Sequence, residues 1–121
     1  MGSITRRTGT GWEGIEPRAY ASGAERHVLV GRRAGARQTE LRFFRLPAGG
    51  SSRLERHAHE HAIVIAEGRG EVRLGSQLHA VSEGDAVFVS AAELHQLHAA
   101  ADSPLGFFCT APADRRRGGG A

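Results

Sequence analysis

The 121-residue sequence contains no lysine. All sixteen basic residues are arginine, and with thirteen Asp and Glu the formal net charge is only +3. The pI near 10.4 therefore reflects guanidinium groups that never lose their charge, not a large cationic excess. Arg6-Arg7, Arg32-Arg33 and Arg115-Arg116-Arg117 are scattered along the chain. A nucleic-acid footprint calls for a stripe on one face beside a reading element, so no nucleic-acid partner is expected. A single cysteine, Cys109, excludes an intramolecular disulfide. Its setting, Leu105-Gly106-Phe107-Phe108-Cys109, predicts a buried and inert thiol. No apolar run nears the roughly 18 to 20 residues that cross a bilayer, the best being Ala62-Ile63-Val64-Ile65-Ala66, and no apolar stretch follows Arg6-Arg7. A soluble, cytoplasmic protein with no membrane partner is expected. There is no long amphipathic pattern, internal repeat or phosphate-binding glycine loop, which excludes dinucleotide-fold enzymes.

What is present is a chain 40% hydrophobic with 17 Gly and 4 Pro, enough for one packed core with many tight turns. Residues 1–24 are rich in Gly, Thr, Ser and Arg and read as a flexible arm, while 112–121 hold no large apolar anchor and read as a disordered tail. Between them, 25–111 should fold. Strand-like runs lie at 27–30, 39–46, 61–65, 71–74, 77–81, 85–89, 94–98 and 106–110, with Gly68, Gly70, Gly75 and Gly84 as punctuation. This pattern predicts an all-β antiparallel barrel or jelly roll, not a βαβ fold.

Three of the seven histidines fall in Glu55-Arg56-His57-Ala58-His59-Glu60-His61. On a strand, Glu55, His57, His59 and His61 share a face with Ile63 and Ile65, so the imidazoles point toward the apolar side, where metal ligation would satisfy them. An ideal strand separates i and i+4 by about 13 Å, too far for one ion with ligand bonds near 2.1 Å, so the chain must bend near Ala58-His59-Glu60. His95, after Glu93-Leu94, is the best-placed distant ligand. His27, His79 and His98 read as solvated or hydrogen-bonded residues.

These segments resemble a known family. Pro47-Ala48-Gly49, Glu55 to His61 and Ile63-Val64-Ile65-Ala66-Glu67-Gly68-Arg69-Gly70-Glu71-Val72 are similar to the first motif of the cupins, Gly-x5-His-x-His-x3,4-Glu-x6-Gly. Gly84-Asp85-Ala86-Val87-Phe88-Val89 begins a match to the second motif, Gly-x5-Pro-x-Gly-x2-His-x3-Asn. Ser90 stands at the proline place, Ala92 at the glycine, His95 at the histidine and Ala99 at the asparagine. Seven residues before Gly68, where the family has its ligand Glu, stands His61, as in small cupins of the His-x-His-Pro-Trp-Glu-His type, which carry four-histidine sites. In that register His57 is the second histidine and Glu55 takes the place of the first. The resemblance implies a cupin barrel (a double-stranded β-helix) with Glu55, His57, His61 and His95 as metal ligands. A second register makes His57 and His59 the His-x-His pair, with His59 the alternative ligand.

A mixed imidazole and carboxylate set suits Mn, Fe, Ni or Zn and disfavours Mg and Ca. Four protein ligands leave two positions open on an octahedral ion, so the expected function is a metal-dependent, dioxygenase-like oxygenase, or a lyase or isomerase, acting on a small enolic, phenolic or carbonyl compound. A non-catalytic module sensing a small molecule or a metal is the other reading. His59 and Glu60 are candidates for proton transfer. Arg42, Arg45 or Arg73, if inward, would hold a substrate carboxylate. Leu41, Phe43, Ile63, Ile65, Leu74, Phe88, Leu97 and Phe107 are the side chains expected to close the cavity. The resemblance also implies a homodimer, which would cover an exposed edge strand at 27–33.

Overall fold

The computed structural model describes residues 1–113. It is all-β: β1 (Arg7–Thr8), β2 (Gly11–Trp12), β3 (Arg18–Ala19), β4 (Glu25–Val30), β5 (Thr39–Leu46), β6 (His61–Leu74), β7 (Gln77–Ser82), β8 (Ala86–Val89), β9 (His95–Ala99) and β10 (Leu105–Pro112), with two three-residue 3-10 turns. Eight strands run in the order β3-β4-β5-β10-β6-β7, and β8 and β9 also pair with β6, every pairing being antiparallel. This is the predicted jelly-roll barrel. Among the described residues no helix is long and apolar enough to cross a membrane.

The segments 61–65 and 71–74, read as two strands, form one 14-residue strand, β6. Its first half pairs with β10 and β8 and its second half with β7 and β9, so it belongs to both walls of the barrel. The turn-like glycines between the halves mark a crossing, not a break. Gly68 has φ +71°, and a Cβ there would run into the Pro104 carbonyl and the Ser103 hydroxyl. Only glycine allows both the backbone angle and the approach of the 103–104 loop.

Side chains alternate between two packed layers. Phe44, Leu46, Ile63, Ile65, Val72, Val89, Leu97, Leu105 and Phe107 form the interior. Trp12, Leu29 and Phe43 form a second cluster, joined by Ile15, Leu41 and Phe108. Trp12 sits 4.9 Å from Phe43 and 5.3 Å from His27, ring to ring. Part of the expected flexible arm 1–24 therefore packs on the barrel, through Thr5, Trp12 and β3. Trp12 is buried, β3 pairs with β4 at Arg26 and Glu25, and the Thr5 hydroxyl donates to the Leu29 carbonyl. The low apolar content that suggested mobility is offset by one indole, which covers a large area by itself. The same contacts cover part of the expected open edge at 27–33. Of the expected disordered tail 112–121, Pro112 closes β10 opposite Thr39, and 114–121 lie outside the described residues.

Candidate metal centre

The strand expected from Glu55 to His61 is interrupted. Ala58 and His59 form a bend and β6 begins only at His61, which is the departure from straight alternation that a shared ion requires. As a result the donor atoms of His57, His59 and His61 all lie within 4.8 Å of one another. His95 joins from the start of β9. Ring centroids are 5.2 Å apart for His57 and His61, 5.3 Å for His57 and His95, and 5.2 Å for His61 and His95. An imidazole nitrogen about 2.1 Å from an ion puts its ring centre about 3.2 Å away, so neighbouring rings on one ion stand about 4.6 Å apart at a right angle and about 5.3 Å at the tetrahedral angle. The three rings have that spacing. His59 stacks on His57 at 4.8 Å with an interplanar angle of 5°.

Backbone carbonyls set the tautomers. His61 Nδ1 donates to the Thr110 carbonyl at 2.9 Å, and His95 Nδ1 donates to the Glu93 carbonyl at 2.9 Å. In both rings Nε2 is then the nitrogen with the lone pair, the arrangement found around bound metals. Burial pushes the His61 imidazole down to about 4, aided by Arg42 and His95 and opposed by the Thr110 hydrogen bond. At neutral pH the ring is uncharged, the form that ligates. The donors, their tautomers and their spacing fit a divalent transition ion.

Glu55 reaches the same end of the barrel. Its carboxylate lies 3.8 Å from His57 Nε2 and accepts from the Tyr20 hydroxyl at 3.4 Å. Glu55 and His95 also exchange backbone hydrogen bonds of 3.0 and 2.9 Å. Burial raises the Tyr20 phenol above its ordinary value, so it stays protonated.

A small cavity of about 60 Å³, room for roughly four waters, adjoins this cluster, with Tyr20, Glu55, His61, His95, Ile63 and Phe107 among its walls. Leu97 lines it too, whereas Leu41 and Phe43 belong to the outer cluster and Phe88 is 57% exposed. Ile65 and Leu74 pack in or against the interior. Leu41 to Leu46 has apolar residues in both phases of the alternation, and Trp12 gives Phe43 a cover on the outside. Arg42 consequently points in and lines the cavity, while Arg45 forms a two-pronged pair with Glu67 at 3.0 and 3.1 Å. Glu60 is exposed, and neither it nor His59 is among the cavity walls. Tyr20, Arg26 and Arg53 were not foreseen as site residues, and nothing in their spacing marks them.

The other histidines separate. His98 Nδ1 pairs with the Ser51 hydroxyl at 2.7 Å and His79 is exposed. His27, expected to be solvated or hydrogen-bonded, is 2% exposed among aromatic rings with neither nitrogen hydrogen-bonded; Glu25 lies 3.9 Å away. Cys109 is buried as expected, but beside the site. Its sulfur is 3.3 Å from His61 Nδ1 and 3.3 Å from an Arg42 nitrogen.

Comparison with known proteins agrees with this architecture. The family model described as "Cupin domain" matches residues 42–111. The 1-methylthio-D-xylulose 5-phosphate methylsulfurylase of Rhodospirillum rubrum is 43% identical over 76 residues, 63% of this chain and 49% of that protein, so the chain spans about half the length of that relative. A cupin 2 conserved barrel domain protein from Rhodopseudomonas palustris superposes with a TM-score of 0.82 at 32% identity, over 93% of this chain and 82% of the other. A cupin 2 domain-containing protein from Halorhodospira halophila gives 0.73 at 38% identity, over 93% and 80%. With a family match across more than half its length, on a barrel that gathers four histidines at one end, the chain belongs to the cupin family.

Proposed function

We propose that the chain is a metal-dependent enzyme that acts on a small carbonyl or enolic compound held in the cavity beside the histidines. The observation that carries this reading is the coincidence of two features. His61 and His95, with their Nε2 lone pairs left available, line the small cavity that Glu55 and Tyr20 also line. Glu55, His57, His61 and His95 are the proposed ligands. Glu55 is preferred over His59 because its carboxylate lies 3.8 Å from His57 Nε2 and shares the cavity wall with His61 and His95, whereas His59 is not among the lining residues and its ring stacks parallel on His57. A bound Mn, Fe, Ni or Zn ion would act as a Lewis acid and template there.

The protein's own groups supply the rest. The Tyr20 hydroxyl, kept protonated by burial, donates to Glu55 and accepts from the Arg53 backbone N–H, so it orients the carboxylate at the cavity wall. Ile63, Phe107 and Leu97 keep the other walls dry. The Rhodospirillum rubrum relative is named for 1-methylthio-D-xylulose 5-phosphate, a small keto sugar derivative, which supports a carbonyl substrate of modest size. The homodimer expected from the family resemblance is carried with this reading, and sedimentation equilibrium checks it.

The test is elemental analysis of untagged protein reconstituted with Mn, Fe, Ni or Zn, repeated on Glu55→Ala, His59→Ala and His61→Ala. Near-stoichiometric metal that is lost in Glu55→Ala and His61→Ala but kept in His59→Ala is the expected result. Loss in His59→Ala with retention in Glu55→Ala moves the fourth ligand to His59. Protein that takes up none of the four metals overturns the reading. Metal-loaded protein that consumes no oxygen and turns over no hydroxy-ketone or enol is a sensor.

A further inference from the structure

Two arginines on β5, three residues apart and so on opposite faces of the strand, behave differently. Arg45, on the outer face, is saturated: Nε and a terminal nitrogen both reach Glu67, whose carboxylate also takes Arg7 at 3.1 Å. Arg42 faces the cavity and is 6% exposed. Its contacts are the Cys109 sulfur at 3.3 Å, the Phe44 ring at 5.2 Å and a Glu40 oxygen at 3.7 Å from Nε, a distance too long for a hydrogen bond. A planar fork buried among Phe44, Ile63 and Cys109 without a two-pronged carboxylate is costly as a purely structural group.

Arg42 has company. Arg26 pairs in register with Phe44, and Arg42 with Val28, which puts both guanidinium-bearing positions on the cavity face of adjacent strands. Arg53 stands over the Tyr20 ring at 4.8 Å and is the exposed member of the lining, so it marks the mouth. The cavity is lined by three arginines and one carboxylate, Glu55, which already accepts from Tyr20, while a second carboxylate, the buried Glu40, lies beside Arg42. The space admits a group a few atoms across.

We infer that this cavity is an oxyanion site, in which Arg42, with Arg26 and Arg53, holds a carboxylate or phosphate group of the small molecule bound beside the histidines. The inference rests on the proposed reading only in taking that cavity as the place where the small molecule binds. It confines the substrate to organic anions and orients them: the anionic end goes to Arg42 and the uncharged end to His61 and His95. Arg73, the other arginine considered from the sequence, is not among the lining residues.

The experiment uses chelator-treated full-length protein, so that no metal competes for the anion. Methyl phosphate, acetate and, as a neutral control, methanol are titrated separately, with arginine Nε–H and backbone amide NMR signals as readout. Saturable binding of methyl phosphate or acetate, not of methanol, is expected, with the tighter of the two naming the oxyanion. Arg42→Gln should weaken it about tenfold or more and Arg53→Gln several-fold, while Arg37→Gln, an exposed residue outside the cavity lining, leaves it unchanged. Arg53 is exposed, so its variant tests the site even if Arg42→Gln does not fold. Absence of saturable binding by either anion overturns the inference, as does binding that Arg53→Gln and Arg42→Gln leave unaltered. The metal content of the same protein is measured separately. An anion bound by protein that takes up no metal keeps this inference and removes the proposed function, and a metal bound by protein that binds no anion does the reverse.

Discussion

Glu55 and His95 exchange a reciprocal pair of backbone hydrogen bonds, Glu55 N–H to the His95 carbonyl at 3.0 Å and His95 N–H to the Glu55 carbonyl at 2.9 Å. Two segments far apart in sequence are clamped at the residues whose side chains meet in the site. The Ala92 N–H donates to the His57 carbonyl close by, so the β8–β9 loop holds the His57 bend as well. The candidate ligand positions are therefore fixed by main chain, and the barrel should fold without metal.

Metal should add to the stability of an already folded barrel. At a concentration a hundred times the dissociation constant, an ion that binds only the native state contributes about 2.7 kcal/mol. Melting curves with a chelator and with excess Mn, Fe, Ni or Zn should show two cooperative transitions, the metal-loaded one several degrees higher. His95→Ala should abolish the difference. A chelated protein without a cooperative transition would contradict a preformed site.

Acid should weaken the metal-free protein before its carboxylates titrate. Burial holds His61 at about 4 in the fold, against about 6.5 in the unfolded chain, and lowers His27 in the same direction. The unfolded chain takes up these protons first, so stability is fully present above 6.5, falls as pH drops toward 4 and levels off below that. For His61 the loss approaches about 3 kcal/mol. Urea unfolding between pH 7 and 5 measures it, and a flat or rising free energy across that window would be the contrary result.

Ala92 carries a left-handed backbone, φ +62°, at the place where the second cupin motif has glycine. An L side chain pays about 1 to 2 kcal/mol in that region, part of which glycine's extra unfolded-state freedom would offset. Ala92→Gly should stabilise the protein by about 0.5 to 1 kcal/mol, with metal content unchanged. A loss of stability by chemical denaturation would argue against strain at this position.

Trp12 should hold the N-terminal segment to the barrel. It is buried against Phe43, His27 and Phe108, with Arg7 above its ring at 4.8 Å. Trp12→Ala should cost about 3 kcal/mol or more and speed proteolysis within residues 1–24. Retention of wild-type stability would return this segment to the status of a loose arm.

Much of this was legible in the chain. Alternating apolar residues between glycine turns define antiparallel strands, because a strand's period of two is a local property. The crowding of His57, His59 and His61 into five residues, with the need for a bend to bring them together, follows from strand rise alone, and the bend lies at Ala58-His59. His95 could be singled out by its place after the last turn of the second motif.

Which face of a strand looks inward was not legible where both faces are apolar. Phe43 and Phe44 are equivalent to any local rule, and the phase of β5 is decided by Trp12, thirty-odd residues upstream, which covers Phe43 from outside and leaves Arg42 and Phe44 to the interior. The union of two strand candidates into β6 depends on Gly68 meeting the 103–104 loop. The sequence by itself determined the fold class and the histidine cluster, since both rest on spacing within short segments. The cavity, with Tyr20, Arg26 and Arg53 brought beside His61 and His95, was decided only by the tertiary structure, because long-range strand pairing brings together side chains that no local pattern links.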